Sequence, residues 1–326
     1  MNFLQLILTQ IHIELSKEID IKIVITGAAG YIGSKLTQRL LSMGHYVTCF
    51  DNYFYDQSSL VKDVFNDPKC KFYEQSVLDW SPELKEALNR ADAVYPLAAL
   101  VGAPLCDKNV DLTVALNQEW QEDLVDYLAN QITIYCNTNS SYGSFPGICT
   151  EETPINPLSL YAKTKQAAED AHKARKRSVC FRLATVFGAS PRPRTDLLIN
   201  NLVGKAHVDI FDGHFRRNYI HIDDIVSALE MPLARPEMCG NIYNVGNDAL
   251  NMTKGDLIKT ICSMTGATWS EVNDRTDPDK RDYEVSSDKL YQLGYRCSRS
   301  LEFGVKEMLG VYAGLRPEDS DKCRNY

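Results

Sequence analysis

The segment SLYAKTKQAAE sets Tyr161 and Lys165 four residues apart at the start of an amphipathic run, the spacing that puts two side chains on one face of a helix. A phenol ordinarily titrates near ~10, so accepting a proton at neutral pH requires a shift of roughly three units, about 4 kcal/mol. A neighbouring ammonium acts in that direction because it favours the phenolate. An amphipathic helix with one buried ring and one solvated ammonium is the plainer reading of the same two residues. Upstream, YCNTNSSYG follows an apolar run, and Thr138 lies four residues before Tyr142. A hydroxyl at a strand end can bond both a substrate oxygen and a phenol, setting the geometry for proton and hydride transfer. It can equally bond the backbone of a turn.

Hydride transfer needs a redox cofactor, and ITGAAGYIGSKL offers a place for one. Gly27, Gly30 and Gly33 come directly after the apolar run 21–25. A glycine turn between a strand and a helix lets the backbone approach a pyrophosphate, and the helix start then presents unpaired N–H groups and positive potential. The alternative is a tight structural turn. Asp51, in FDN, stands eighteen residues after Gly33 at the end of the next apolar run. A carboxylate there accepts hydrogen bonds from ribose hydroxyls and repels a 2′-phosphate, which favours NAD over NADP. An aspartate that merely opens a loop is the competing reading.

These residues need elements to hold them. From residue 21 onward short apolar runs alternate with longer amphipathic stretches: strands are predicted at 21–26, 46–51, 71–73, 93–97, 132–137 and 179–183, and helices at 31–44, 112–130 and 160–176. Alternation of this kind favours a parallel sheet, since each parallel crossover requires a long and usually helical connection. The expected fold is therefore α/β, a Rossmann-like doubly wound parallel sheet with a smaller, mainly C-terminal substrate-binding region. The divisions are an N-terminal extension at 1–20, a dinucleotide-binding region at 21–188, and a substrate region at 189–326 from which 217–246 returns to the first. The 326 residues, 44% hydrophobic and 24% charged, suffice for such a core.

The net charge of -8 argues against a general nucleic-acid binder. The ten cysteines include no C-x-x-C pair, and the six histidines no H-x-H or H-E-x-x-H grouping, so no metal is expected and reduced thiols in the cytoplasm are the simplest reading. The opening MNFLQLILTQIHIEL is too short and too polar to span a membrane and lacks the form of a secretory leader. HKARKR reads as a solvated basic face favoured by a helix C-terminus.

Taken together, TGAAGYIG, FDN, PLAALVG, TNSSYG, Y-A-K-T-K, FRLATVFG and RRNYIHIDD occur in an order that resembles the extended short-chain dehydrogenase/reductase family, in particular its nucleotide-sugar epimerases and dehydratases, over residues 21–312. The resemblance implies that Tyr161 is the acid/base, that Lys165 tunes it while holding the nicotinamide ribose, and that Thr138 is the hydroxyl partner. It implies an NAD site made by Gly27, Gly30, Tyr31, Ile32 and Gly33, with Asp51 and Asn52 at the adenosine ribose, Leu97, Ala98 and Ala99 along the cleft, and Asn117 from a central helix. Ser76 and Val77 occupy the adenine position, where the family usually carries an aspartate before an apolar residue. For a nucleotide-diphosphate sugar it implies Arg217 and Arg281 at the diphosphate, where guanidinium forks suit phosphate oxygens, and Ser140, Thr185, Asn200 and Asn201 around the sugar or nucleotide. Either arginine can instead be a surface ion-pair residue.

The reaction expected from this set is inversion of a sugar hydroxyl at C4 through a transient keto-sugar. A 4-keto-sugar reductase would use the same three residues and consume reduced cofactor. A 4,6-dehydratase is disfavoured because related dehydratases carry an Asp-Glu pair after the threonine, where this chain has Asn139 and Ser140. A dinucleotide-binding sensor without catalysis would not require the Thr138, Tyr161 and Lys165 set. His221 is expected to be buried and bonded to the backbone, and Cys106 and Cys136 to be small core residues beside the cleft. The helices 112–130 and 160–176 are expected to form a homodimer contact, as in related enzymes.

Overall fold

The computed structural model describes residues 20–272 and 281–325; residues 1–19, which make up nearly all of the expected N-terminal extension, lie outside them. Seven strands form one sheet: Lys22–Thr26 (β1), Tyr46–Asp51 (β2), Cys70–Glu74 (β3), Ala93–Pro96 (β4), Ile132–Thr138 (β5), Ser178–Leu183 (β6) and Asn241–Val245 (β7). Their spatial order is β3-β2-β1-β4-β5-β6-β7 with every pairing parallel. This is the doubly wound α/β arrangement, and its order reverses between β1 and β4, where such sheets bind ligands. In the central strand KIVIT, four of five residues are buried, as required of β-branched residues covered on both faces.

The crossover helix Tyr31–Ser42 starts directly at the glycine turn, and Gly44, at φ +89°, follows its end. The helix Leu160–Ala174 is capped by the Ser159 hydroxyl, which accepts from Ala162 N. It is fastened to the sheet by a buried ion pair between Glu169 and Arg182 of β6 at 2.7 Å, to which Asn137 of β5 adds an amide bond of the same length. Arg175, expected on a solvated basic face, instead donates to the carbonyls of Leu128, Ala129 and Gln131 and ties down the loop before β5.

The predicted helix 112–130 is not continuous. An α-helical turn at Val110–Val114 passes into a π turn at Ala115–Glu119 and then the α-helix Trp120–Tyr127. The wider turn re-aims Asn117 inward, and its amide bonds both Leu100 N and Leu100 O at 2.8 Å. Single-turn π insertions of this type often accompany functional sites.

Beyond β6 the chain builds a second, three-stranded sheet from Thr185–Phe187, Arg216–His221 and Asn247–Thr253. Helix Ile222–Ala234 packs against Tyr31–Ser42, and β7 joins the large sheet. Residues 217–221, placed by the sequence in the returning segment, therefore sit in the second sheet instead, because Arg216–His221 pairs there on both edges.

Candidate active site

Gly27 leaves β1 at φ +69° and passes so close to the end of β4 that a Cβ there would lie 2.7 Å from Ala98 N. A Cβ on Gly33 would lie 2.1 Å from Gly27 O. Both positions exclude any side chain, and the helix that follows has no side-chain cap on its first N–H groups, which leaves donors for an anion. Tyr31 and Ile32 begin that helix; the Tyr31 hydroxyl donates to Gly188 O at 2.7 Å, so its phenol fastens the far wall of the cleft. Leu97, Ala98 and Ala99 are half-buried along the opposite wall.

Asp51 lies at the end of β2 and is 9% exposed. Its carboxylate accepts from Ala29 N at 3.0 Å and Tyr53 N at 2.8 Å. Burial lifts its pKa, and those two N–H groups oppose the rise. The Gln57 amide also donates to Oδ1, at 3.5 Å, so Oδ2 is the oxygen with a lone pair left for a ribose hydroxyl. Asn52 beside it is exposed. The Ser76 hydroxyl caps the short turn Val77–Asp79 by accepting from Leu78 N, and Val77 is buried against Phe50 and Leu84. The glycine cradle, the uncapped helix start and a carboxylate with free lone pairs together fit a dinucleotide.

Tyr161 stands in the first turn of its helix, half-buried against a cluster formed by Leu100, Leu105 and Cys106. Burial pushes its phenol above the ordinary range, with Cys106 adding to the rise while Arg194 and Arg281 oppose it. One helical turn on, Lys165 is 5% exposed and burial pushes its ammonium down to about 8. Thr138 ends β5, where its hydroxyl accepts from Ser140 N at 3.2 Å and lies 3.0 Å from the Ser140 hydroxyl. Arg281 donates to that same Ser140 hydroxyl. Thr138, Ser140 and Arg281 thus form one group, and the Arg281 charge reaches the Tyr161 phenol. Asn139, where a dehydratase would carry an acid, is buried.

Several expected ligand contacts are engaged elsewhere. Asn117 holds the Leu100 backbone with both ends of its amide, so it fixes the segment that follows β4. The Asn200 amide is fully buried and bonds Gly188 N and Arg194 O, and Asn201 donates to Thr195 O. Both build the loop 188–195 in place of lining a sugar pocket. Arg217 is largely buried, donates to Arg216 O and lies 5.4 Å from the Tyr283 ring, so it faces the segment that carries Arg281. Thr185 is half-buried in the second sheet opposite Tyr219. His221 is fully buried between Glu307, at 3.0 Å, and the Asp223 N–H. Burial raises the thiols of Cys106 and Cys136, the latter to about 12, which leaves both protonated.

Arg192 and Arg194 were not expected in the site. Arg194 is buried and forms a two-pronged pair with Asp196, and its charge reaches Tyr31, Tyr55 and Tyr161. Arg192 lies 4.5 Å over the Tyr55 ring and binds Lys322 O, Arg324 O and the Asn325 amide. Their only mark in the sequence is alternation with prolines in SPRPRTD.

A family model described as the NAD dependent epimerase/dehydratase family matches residues 23–246. The chain belongs to that family. NAD is its cofactor. Among the relatives of this epimerase/dehydratase is an uncharacterized UDP-glucose epimerase of Bacillus subtilis (strain 168), 29% identical over 251 residues that span 69% of this chain and 76% of the other. A dTDP-glucose 4,6-dehydratase of Streptomyces niveus is 25% identical over 90% of this chain and 94% of its own. The fold is shared with a variant UDP-glucuronic acid 4-epimerase from Bacillus cereus, solved in complex with UDP-4-deoxy-4-fluoro-glucuronic acid and NAD. Its TM-score is 0.79 at 25% identity, and the match covers 91% of this chain and 100% of that one.

Proposed function

We propose that the protein inverts the C4 hydroxyl of a UDP-sugar, as an NAD-dependent nucleotide-sugar 4-epimerase. The observation that carries this reading is that Thr138 at the end of β5 is followed by Asn139 and Ser140 with no acidic residue in that turn, while Tyr161 and Lys165 lie one turn apart on the helix packed against β5. Bound NAD supplies the hydride acceptor at the sugar carbon. Tyr161 takes the C4 hydroxyl proton, Thr138 orients that oxygen, and Lys165 favours the phenolate. After the keto-sugar turns over in the cleft, Tyr161 returns the proton while hydride returns to the other face, so no oxidant or reductant is consumed overall. Arg217 and Arg281 are assigned to the diphosphate end of the substrate.

The uridine nucleotide is supported by the B. subtilis relative and the B. cereus neighbour. A homodimer through the helices at 110–127 and 160–174 is supported by exposed Val110 and Tyr127 on the first of them. A cytoplasmic setting is supported by ten free cysteines; among the described residues no helix is long and apolar enough to cross a membrane. The test is incubation with UDP-glucuronic acid, UDP-glucose and their GDP-, CDP- and dTDP-linked counterparts, followed by NMR and nicotinamide absorbance. A C4 epimer without net cofactor change is expected. Stoichiometric oxidation of NADH identifies a reductase instead, and a 4-keto-6-deoxy product a dehydratase.

A further inference from the structure

The Lys165 ammonium lies 4.2 Å from the centroid of the Tyr135 ring, and among the described residues it makes no ion pair and no hydrogen bond. The carboxylate whose charge reaches it, Glu169, is committed to other partners. Glu169, on its own helix, is bound by Arg182, Asn137 and Gln166. Cys136 of β5, Cys180 of β6 and Cys106 of the helix Ala103–Lys108 are thiols that burial holds protonated. Tyr161, one turn earlier, is a neutral phenol raised by burial. The ring of Tyr135 is thus the aromatic face seated against this cation.

Tyr135 is itself held from two sides. Its hydroxyl donates to the backbone carbonyl of Lys165 at 3.0 Å, so the residue that supplies the ring is fixed to the residue that supplies the charge. Its opposite face stacks on His172, with centroids 4.5 Å apart and planes inclined by 15°. His172 Nε2 lies 3.0 Å from Gln121 Oε1, and Nδ1 is buried with no partner. The imidazole therefore donates through Nε2 and is neutral, since a second N–H at Nδ1 would be buried without an acceptor. Burial, then the charges of Lys165 and Arg175, push it down to about 3. A neutral backing ring leaves the electron-rich face of Tyr135 to one cation, and a desolvated cation–π contact of this type favours the charged ammonium.

We propose that Tyr135, backed by His172, is a positioning residue that seats the Lys165 ammonium on an aromatic face and keeps it charged beside the Tyr161 phenol. This rests on the reading of Lys165 as the partner of Tyr161. The test uses protein labelled with 15N-lysine, the Lys165 resonance being assigned through Lys165→Met, and follows its titration by NMR. Tyr135→Leu is expected to lower the Lys165 midpoint by about one pH unit and to move the alkaline limb of kcat for UDP-glucuronic acid epimerisation by the same amount, with KM changing little. If Tyr135→Leu does not fold, phenylalanine and its progressively fluorinated forms at position 135 weaken the ring face at nearly constant shape. The midpoint is expected to fall with each fluorine, relative to Tyr135→Phe. A midpoint that stays constant through the series overturns the role of Tyr135 alone. Full epimerisation by Lys165→Met overturns the underlying reading as well.

Discussion

Burial lifts the Tyr161 phenol and pushes the Lys165 ammonium down to about 8, so the two groups move apart in proton affinity. Lys165 also carries a stability signature. Its ordinary value is 10.5, and between about 8 and that value the unfolded chain binds a proton that the folded protein has lost. Stability contributed at this residue therefore rises with pH through the window, by up to about 3 kcal/mol, and the full penalty of burying the charge applies below it. Urea unfolding of the protein and of Lys165→Met on either side of the window should show the wild type gaining relative to the variant; parallel curves would contradict the assignment. Asp51 makes a second prediction. Asp51→Asn keeps an acceptor for Ala29 N or Tyr53 N but removes the charge that repels a 2′-phosphate, so the NAD-to-NADP affinity ratio should fall at least about tenfold, ~1.4 kcal/mol. An unchanged ratio from binding titrations argues against a ribose role for Asp51.

The helix Leu160–Ala174 delivers Tyr161 and Lys165 only if it stays registered on β5 and β6. Glu169 and Arg182 supply that register from a site that is 4% or less exposed on both sides. Glu169→Ala leaves a buried guanidinium without its carboxylate, and should cost about 3–5 kcal/mol in denaturant unfolding. Replacing both partners by Leu and Met should recover most of that loss while leaving turnover reduced, because apolar packing substitutes for the pair without setting the helix register as closely. Equal losses in the single and double variants would show that the pair is not the fastening. The helix at 110–127 illustrates where reading the sequence stops. Its apolar period marks a helix correctly, but one additional residue in a turn leaves no compositional signal. The π turn at Asn117 is fixed by a bond to Leu100, seventeen residues earlier, a partner that periodicity does not contain.

The doubly wound sheet was legible because a parallel sheet covered on both faces requires continuous apolar runs, and these runs, with the glycine turn between the first strand and helix, stand out along the chain. The shared helical face of Tyr161 and Lys165 was legible because a four-residue spacing within one element carries its geometry, and the strand before Thr138 because its apolar run is continuous. Asn200 and Asn201 were misread because an amide beside a cleft can face the ligand or the loop behind it, and loop 188–195 contains buried carbonyls and N–H groups that need partners. Arg192 was missed because its partners lie in the C-terminal segment and the Tyr55 loop, each more than a hundred residues away in sequence, and Arg194 because its charge acts on Tyr31 and Tyr55, which are as distant. Tyr31 to Gly188, Ser34 to Ser190 and Lys35 to Asp223 tie the helix Tyr31–Ser42 to the chain beyond β6. The most direct test is to supply UDP-glucuronic acid deuterated at C4 and determine where the label resides in the product. The account predicts a C4 epimer that retains deuterium at C4, formed about 10²–10⁴ times more slowly by Tyr161→Phe. Loss of the label to solvent, or full turnover by that variant, would contradict it.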